Sequence, residues 1–258
     1  MTDAPLLRVR GLAKSYGIHV GCADVAFDLW PGEILGVVGE SGSGKTTLLN
    51  CLSAQVEPSA GTVEYDMRGR GLTDIYKLSE AERRMLLRTD WGIIYQNAMQ
   101  GLRPRVTASA NVSERLIAVG NRHYGNLRAE VVDWFDRVEM DLSRLDDMPR
   151  TFSGGMRQRL QIARNLVTKP RLVFMDEPTS GLDVSVQARL LDLIRSLVEK
   201  LQIACIIVTH DLGVVRLLSH RLMVMQRGRV VEHGLTDQVL DDPQHPYSQL
   251  LVSSILPV

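Results

Sequence analysis

Apolar residues return at about every second position in residues 6–12 and 20–29, separated by the turn-forming run Lys14-Ser15-Tyr16-Gly17, and again in Gly61-Thr62-Val63-Glu64-Tyr65. A period of two lines one face of a strand, so these stretches predict a small antiparallel sheet. Residues 34–38 and Trp91-Gly92-Ile93-Ile94-Tyr95 are shorter apolar runs of strand type. Leu172-Val173-Phe174-Met175 and Ala204-Cys205-Ile206-Ile207-Val208 are apolar throughout, the form of parallel strands covered on both faces. Between residues 78 and 145 the pattern is mostly helical. Ser79-Glu80-Ala81-Glu82 has the form of a helix start, and residues 129–138 place Val131, Val132, Phe135 and Val138 on one face. A further helix follows Thr151-Phe152-Ser153-Gly154-Gly155-Met156, with Leu160, Ala163, Leu166 and Val167 inward. Residues 221–226 and 229–232 read as a hairpin about Arg227-Gly228, and a short helix starts at Pro246.

The 258 residues suffice for a good core, and with no repeat, low-complexity tract or long Pro/Gly linker they are expected to form one domain. Thirty basic residues balance thirty acidic ones, so no overall field favours nucleic acid or an acidic membrane surface. The start of the chain lacks a signal sequence's basic end and apolar run, and no apolar run approaches the roughly 20 residues that span a bilayer. A soluble, cytoplasmic protein without membrane insertion is expected. Cys22, Cys51 and Cys205 stand far apart with no C-x-x-C pair, and read as small buried hydrophobes.

The chemistry is organised by Gly39-Glu40-Ser41-Gly42-Ser43-Gly44-Lys45-Thr46, which fits G-x-x-x-x-G-K-[ST] between an apolar strand and a helix beginning at Thr47. Gly42 and Gly44 permit backbone conformations in which successive N–H groups face one concavity, and the helix N-terminus adds partial positive charge. Lys45 can bring its ammonium to the β- and γ-phosphates of a nucleotide, and the Thr46 hydroxyl suits Mg²⁺.

The apolar run from Leu172 ends in Asp176-Glu177, stopped by Pro178. At the carboxyl end of a parallel strand, Asp176 can hold Mg²⁺ through its shell and Glu177 can orient an attacking water. His210 sits at the corresponding end of the run from Ala204. His19, His123, His220, His233 and His245 read as surface or structural. By residue type alone Tyr16 is a strand-end aromatic, and Ser153 an N-cap before two flexible glycines. Residues 97–106 read as an irregular segment in which Pro104 stiffens a loop between Arg103 and Arg105.

This ordered set of motifs resembles the ATP-binding cassette (ABC) ATPases, over essentially the whole chain. The resemblance implies an α/β P-loop NTPase with a RecA-like core, an antiparallel β subdomain and a helical signature subdomain. Here residues 1–96 and 158–258 would form the core and 97–157 the helical subdomain. It implies ATP and Mg²⁺ as ligands, with Tyr16 stacking on adenine and the stretch Gly39 to Thr47 around the phosphates. Gln96 would meet Mg²⁺ and the attacking water, with Glu177 as base and His210 as the switch histidine. Ser153-Gly154-Gly155-Met156 would be the family signature and Asp183 part of a dimer-contact loop. The signature usually ends in Gln, so Met156 is a departure. Two such chains, alike or different, pair head to tail, the signature of one closing on the ATP of the other.

Within the family, several runs look like the ATP-binding subunits associated with carbon–phosphorus lyase in phosphonate breakdown. They include Phe27-Asp28-Leu29-Trp30-Pro31-Gly32-Glu33, Leu87-Arg88-Thr89-Asp90-Trp91-Gly92 and Arg122-His123-Tyr124-Gly125. That resemblance implies soluble lyase core subunits as partners; the two guanidinium groups beside Pro104, in the segment that follows Gln96, lead to the expectation that the Arg103 and Arg105 loop docks on an acidic face of them. A dipeptide or oligopeptide importer ATPase is the competing reading, through the tail type His245-Pro246-Tyr247-Ser248-Gln249-Leu250-Leu251. Against it, Asn97-Ala98-Met99-Gln100-Gly101-Leu102-Arg103-Pro104 replaces the importers' D-P-x-x-S-L-N-P form, and no cysteine follows Cys205. Nucleic-acid-handling cassettes usually carry long insertions between the motifs, which this chain lacks.

Overall fold

The computed structural model describes residues 4–254. Residues 1–3, part of the start read above against a signal sequence, and 255–258 lie outside that range. In chain order the structure begins with β1 (Leu7–Tyr16), β2 (His19–Leu29), β3 (Ile34–Val38), α1 (Lys45–Leu52), β4 (Ala60–Met67) and β5 (Gly71–Asp74). There follow α2 (Glu80–Thr89), β6 (Trp91–Ile94), α3 (Ala108–Ala118), α4 (Tyr124–Arg137), α5 (Gly154–Leu166), β7 (Leu172–Asp176) and α6 (Val184–Leu201). The chain continues through β8 (Ala204–Thr209), α7 (Leu212–Leu218), β9 (Arg221–Gln226), β10 (Arg229–Leu235), α8 (Thr236–Asp241) and α9 (Pro246–Ser253). These elements gather into two compact units, one of the described residues up to Arg83 together with those from Gln202 onward, the other of Arg84–Leu201.

The first unit contains the expected antiparallel sheet, in the order β2-β1-β4-β5. Its register sets Leu7 opposite Leu29 and Val9 opposite Phe27, so the alternating apolar residues share the buried face. The turn is tighter than the sequence suggests. Lys14, Ser15 and Tyr16 stay in β1, Tyr16 pairs with His19, and only Gly17 and Ile18 make the bend. The four-residue edge strand β5 carries too little alternation to be read from sequence. In the same unit β10, β9, β3 and β8 lie side by side, with β3 parallel to both its neighbours. Arg227 and Gly228 both have positive φ (49° and 79°), the two-residue turn that the twist of a β9–β10 hairpin favours.

In the second unit β6 and β7 run parallel, Trp91 opposite Leu172 and Ile94 opposite Met175. Trp91 meets Phe174 edge to face at 5.2 Å. The helix expected from residue 129 starts earlier, at Tyr124, where the His123 side chain caps it. It buries Leu127, Val131, Trp134 and Phe135, while Val132 is only half-buried. The run Val184–Leu201, left unassigned by the strand-led reading, is an amphipathic helix burying Leu190, Ile194, Leu197 and Val198. Among the described residues no helix is long and apolar enough to cross a membrane.

Candidate functional site

In the first unit Val38 at the end of β3 lies in register with Thr209 at the end of β8. The phosphate loop and His210 therefore leave neighbouring parallel strands at the same end, where α/β sheets bind ligands. The loop's far side is packed. A Cβ on Gly44 would lie 2.0 Å from the carbonyl oxygen of Gly21, and Gly44 has φ +102°, so only glycine fits. The Gly228 N–H donates to Ser43 O at 2.9 Å, tying the β9–β10 turn to the loop. Gly42, in contrast, faces open space.

Lys45 is 6% exposed, and its ammonium donates to Gly39 O and Glu40 O, each at 2.8 Å. Gly44 is the N-cap of α1, with no side chain capping the first turn. An open face at Gly42, a lysine held at the loop's edge and a helix start without a side-chain cap suit a polyphosphate anion. Thr46 and Thr47 lie in the first turn of α1. Tyr16, half-exposed, lies at the β1–β2 tip with the Lys14 ammonium 5.3 Å from its ring centre.

The second unit gathers the other candidates. Because β6 and β7 are parallel and in register, Gln96 and the pair Asp176 and Glu177 emerge at the same end. Gln96 Nε2 donates to Glu177 Oε2 and to Ser180 Oγ, both at 3.2 Å. Glu177 has φ +42°, a left-handed conformation costly for a residue with a side chain and frequent at functional sites. Ser153 caps α5, its hydroxyl accepting the Met156 N–H at 3.3 Å. Gly154 and Gly155 open the helix, and a Cβ on Gly155 would come within 2.7 Å of Val186. Asp183 is exposed, and its carbonyl accepts the Gln187 N–H at 2.8 Å. A cavity of about 150 Å³ joins Gln96, Gly154, Arg157 and the loop Ser180 to Leu182.

Three buried amides of α5, none singled out in the sequence, hold Gln96's strand. Gln161 Oε1 accepts the Tyr95 N–H at 2.7 Å and its Nε2 donates to Tyr95 O at 3.1 Å. Asn165 Oδ1 accepts the Ile93 N–H at 3.0 Å, and Gln158 Nε2 donates to Tyr95 O at 3.3 Å. The helix that begins at the signature thus acts as a partial neighbour strand for β6, tying Ser153's helix to Gln96. Glutamines and asparagine at positions 158, 161 and 165 look like surface residues in a sequence; only their burial shows the role.

The segment after Gln96 is less irregular than its composition implies. Ala98–Gly101 forms one 3₁₀ turn, and the fully buried Asn111 donates to Arg103 O, Val106 O and Thr107 O while accepting the Arg103 N–H. The Arg103 guanidinium pairs with Glu114, which also takes Arg164 at 2.7 Å. Beside this pair, Arg84, Leu87, Arg88, Glu114, Arg115 and Arg164 line a cavity of about 330 Å³. Four guanidinium groups surround one carboxylate there. Arg115 is mostly buried, and desolvation together with Arg164 pulls its pKa down to about 10.

Of the remaining histidines, His123, His220 and His245 accept backbone N–H groups of Asn126, Ile34 and Tyr247, a structural role as expected. The three cysteines are free and buried.

A family model described as ABC transporter matches residues 22–180, from β2 through the loop after β7. This chain belongs to the ABC ATPase family. Over 98% of its length it is 62% identical to the phosphonates utilization ATP-binding protein PhnK of Escherichia coli (strain K12), covering 99% of that protein. It is 36% identical to the dipeptide transport ATP-binding protein DppF of Haemophilus influenzae, over 98% of this chain and 78% of that protein. Among solved structures, the dimeric ATP-binding cassette MJ0796 in a post-hydrolysis state with ADP and Pi superposes with a TM-score of 0.80 at 26% identity, covering 89% of this chain and 98% of that one. The α/β cassette fold and the ATPase activity follow for this ABC ATPase. The importer reading rests on relatives that are far more distant than PhnK.

Proposed function

We propose that this ABC ATPase is the ATP-driven subunit of an organic-phosphonate catabolic system, working on a soluble carbon–phosphorus lyase core in the cytoplasm. The observation that carries this reading is the 62% identity to PhnK across nearly the full length of both chains. In the reaction Gly39 to Thr47 wrap the phosphates of ATP, and Tyr16 offers a ring to adenine. Thr46, Asp176 and Gln96 are the residues that would hold Mg²⁺, which when bound neutralises charge on the phosphate oxygens. Glu177 orients the attacking water and draws its proton, and Gln96 holds the carboxylate in place from the side. His210, at the carboxyl end of β8, completes the catalytic set. Ser153, Gly154, Gly155 and Met156 present N–H and hydroxyl donors to the ATP of a second ABC subunit, paired head to tail, with Asp183 at the contact.

The lyase partner meets the arginine-lined face of α2, α3 and α5. Arg84, Arg88, Arg115 and Arg164, with Arg103 joined through Glu114, suit an acidic protein surface. The test is copurification with the tagged protein. Wild type is expected to bring down soluble lyase subunits, and Arg84→Glu with Arg88→Glu is expected to lose them while ATP affinity stays within about twofold. Arg103→Glu with Arg105→Glu examines the adjoining loop in the same way. Recovery of a polytopic membrane protein in place of lyase subunits would establish the importer reading.

A further inference from the structure

The phosphate loop is held at Glu40 by a residue more than two hundred positions along the chain. Tyr247, in the first turn of α9, is 9% exposed and packs its ring in a core with Val38, Leu212, Val215 and Leu240. Its hydroxyl oxygen accepts the backbone N–H of Glu40 at 2.9 Å. Glu40's own carbonyl oxygen accepts from the Lys45 ammonium at 2.8 Å. One loop residue is therefore fixed at both backbone groups, by Tyr247 on one side and by the lysine on the other.

The tyrosine is itself firmly placed. His245 Nδ1 accepts the Tyr247 N–H at 3.1 Å, and Pro246 occupies the first position of the helix. On β10 the Glu232 carboxylate accepts the N–H groups of Gln244 at 2.8 Å and His245 at 3.0 Å. A continuous series of contacts thus runs from β10 through the start of α9 and Tyr247 to Glu40 and the ammonium of Lys45.

We infer that Tyr247 is a positioning residue for the phosphate loop, acting through Glu40 to fix the edge from which Lys45 reaches the phosphates. Its hydroxyl is engaged by the Glu40 N–H. Without it the Gly39–Glu40 peptide, which carries that N–H and the Gly39 carbonyl oxygen that also accepts from the ammonium at 2.8 Å, can rotate, and the ammonium is no longer held in the geometry that a bound triphosphate requires. The effect falls on ATP binding, because Glu177 and Gln96 are untouched.

This inference rests on the proposed phosphate-binding role of the loop, and the experiment separates the two. Tyr247→Phe keeps the ring and removes only the hydroxyl. In the full-length protein its melting temperature is expected to stay close to wild type. Its Kd for N-methylanthraniloyl-ATP and its KM for ATP are expected to rise about three- to tenfold, the scale of one lost hydrogen bond, with kcat within about twofold. Leu251→Ala, on the same helix, trims apolar packing against the same core without touching the hydroxyl. It is expected to lower the melting temperature and leave KM unchanged. An unaltered KM in Tyr247→Phe, or an equal rise in Leu251→Ala, overturns the positioning role. Lys45→Ala in the same titration is the control for the loop: if it too leaves ATP affinity unaltered, the phosphate-binding assignment itself fails.

Discussion

Gln96 Nε2 lies 3.2 Å from Glu177 Oε2, a residue 81 positions further along the chain, joining the ends of the parallel strands β6 and β7. The amide is a donor aimed at the carboxylate, so it fixes the orientation of the Glu177 side chain. Glu177→Gln is expected to leave ATP affinity near wild type and slow turnover by about 10² to 10⁴, the usual scale for a positioned base. Single-turnover hydrolysis set beside equilibrium nucleotide binding checks it. Near-normal hydrolysis would move the base elsewhere.

Lys45→Ala is expected to weaken binding of the triphosphate itself. The ammonium holds two loop carbonyls and supplies the loop's own full positive charge. Titration with ATP and with ADP should show a larger loss for ATP, since the γ-phosphate depends most on that charge. Equal losses would mean that the lysine acts by organising the loop alone.

At the signature the Met156 contribution is its backbone N–H, which donates to Ser153 Oγ. Met156→Gln retains that N–H, so ATPase activity is expected to change by less than about threefold. Ser153→Ala removes both the cap and the hydroxyl; a helix cap of this type is worth about 1 kcal/mol, and a small fall in melting temperature should accompany a larger fall in activity. Gly155→Asp would crowd Val186 and set a carboxylate at the helix start. It is expected to abolish ATP-dependent dimerisation in light scattering.

The start of α2 supplies a pH prediction. Glu82 accepts from Arg70, and exchanges hydrogen bonds with Ser79 in a capping box. Arg70 first, then Ser79, draws its pKa down to about 2. A folded-state pKa below the unfolded one contributes stability above the unfolded value near 4.5, and loses it as pH falls toward 2. Glu82→Gln is therefore expected to melt lower than wild type at pH 6, with the gap closing between pH 4.5 and 2. A gap independent of pH would assign the effect to packing.

The chain's own pattern determined the main elements and most of the chemistry. Continuous apolar runs marked β7 and β8, alternation marked β1, β2 and β4, and the spacing from Gly39 to Thr46 marked the phosphate loop, because each depends on neighbours within a few residues. Burial of side chains that look polar was decided only by tertiary structure. Gln161 and Asn165 satisfy backbone groups 66 and 72 positions away in sequence, and nothing local to them signals it. The same holds for Glu177, whose contact with Gln96 follows from the parallel register of β6 and β7. Tyr247 read as part of a tail motif, and its hydroxyl gained a partner at Glu40 only when α9 packed against β10 and the end of β3. Local periodicity encodes which face of an element is apolar; which backbone groups are left for a remote side chain to satisfy depends on how the elements meet.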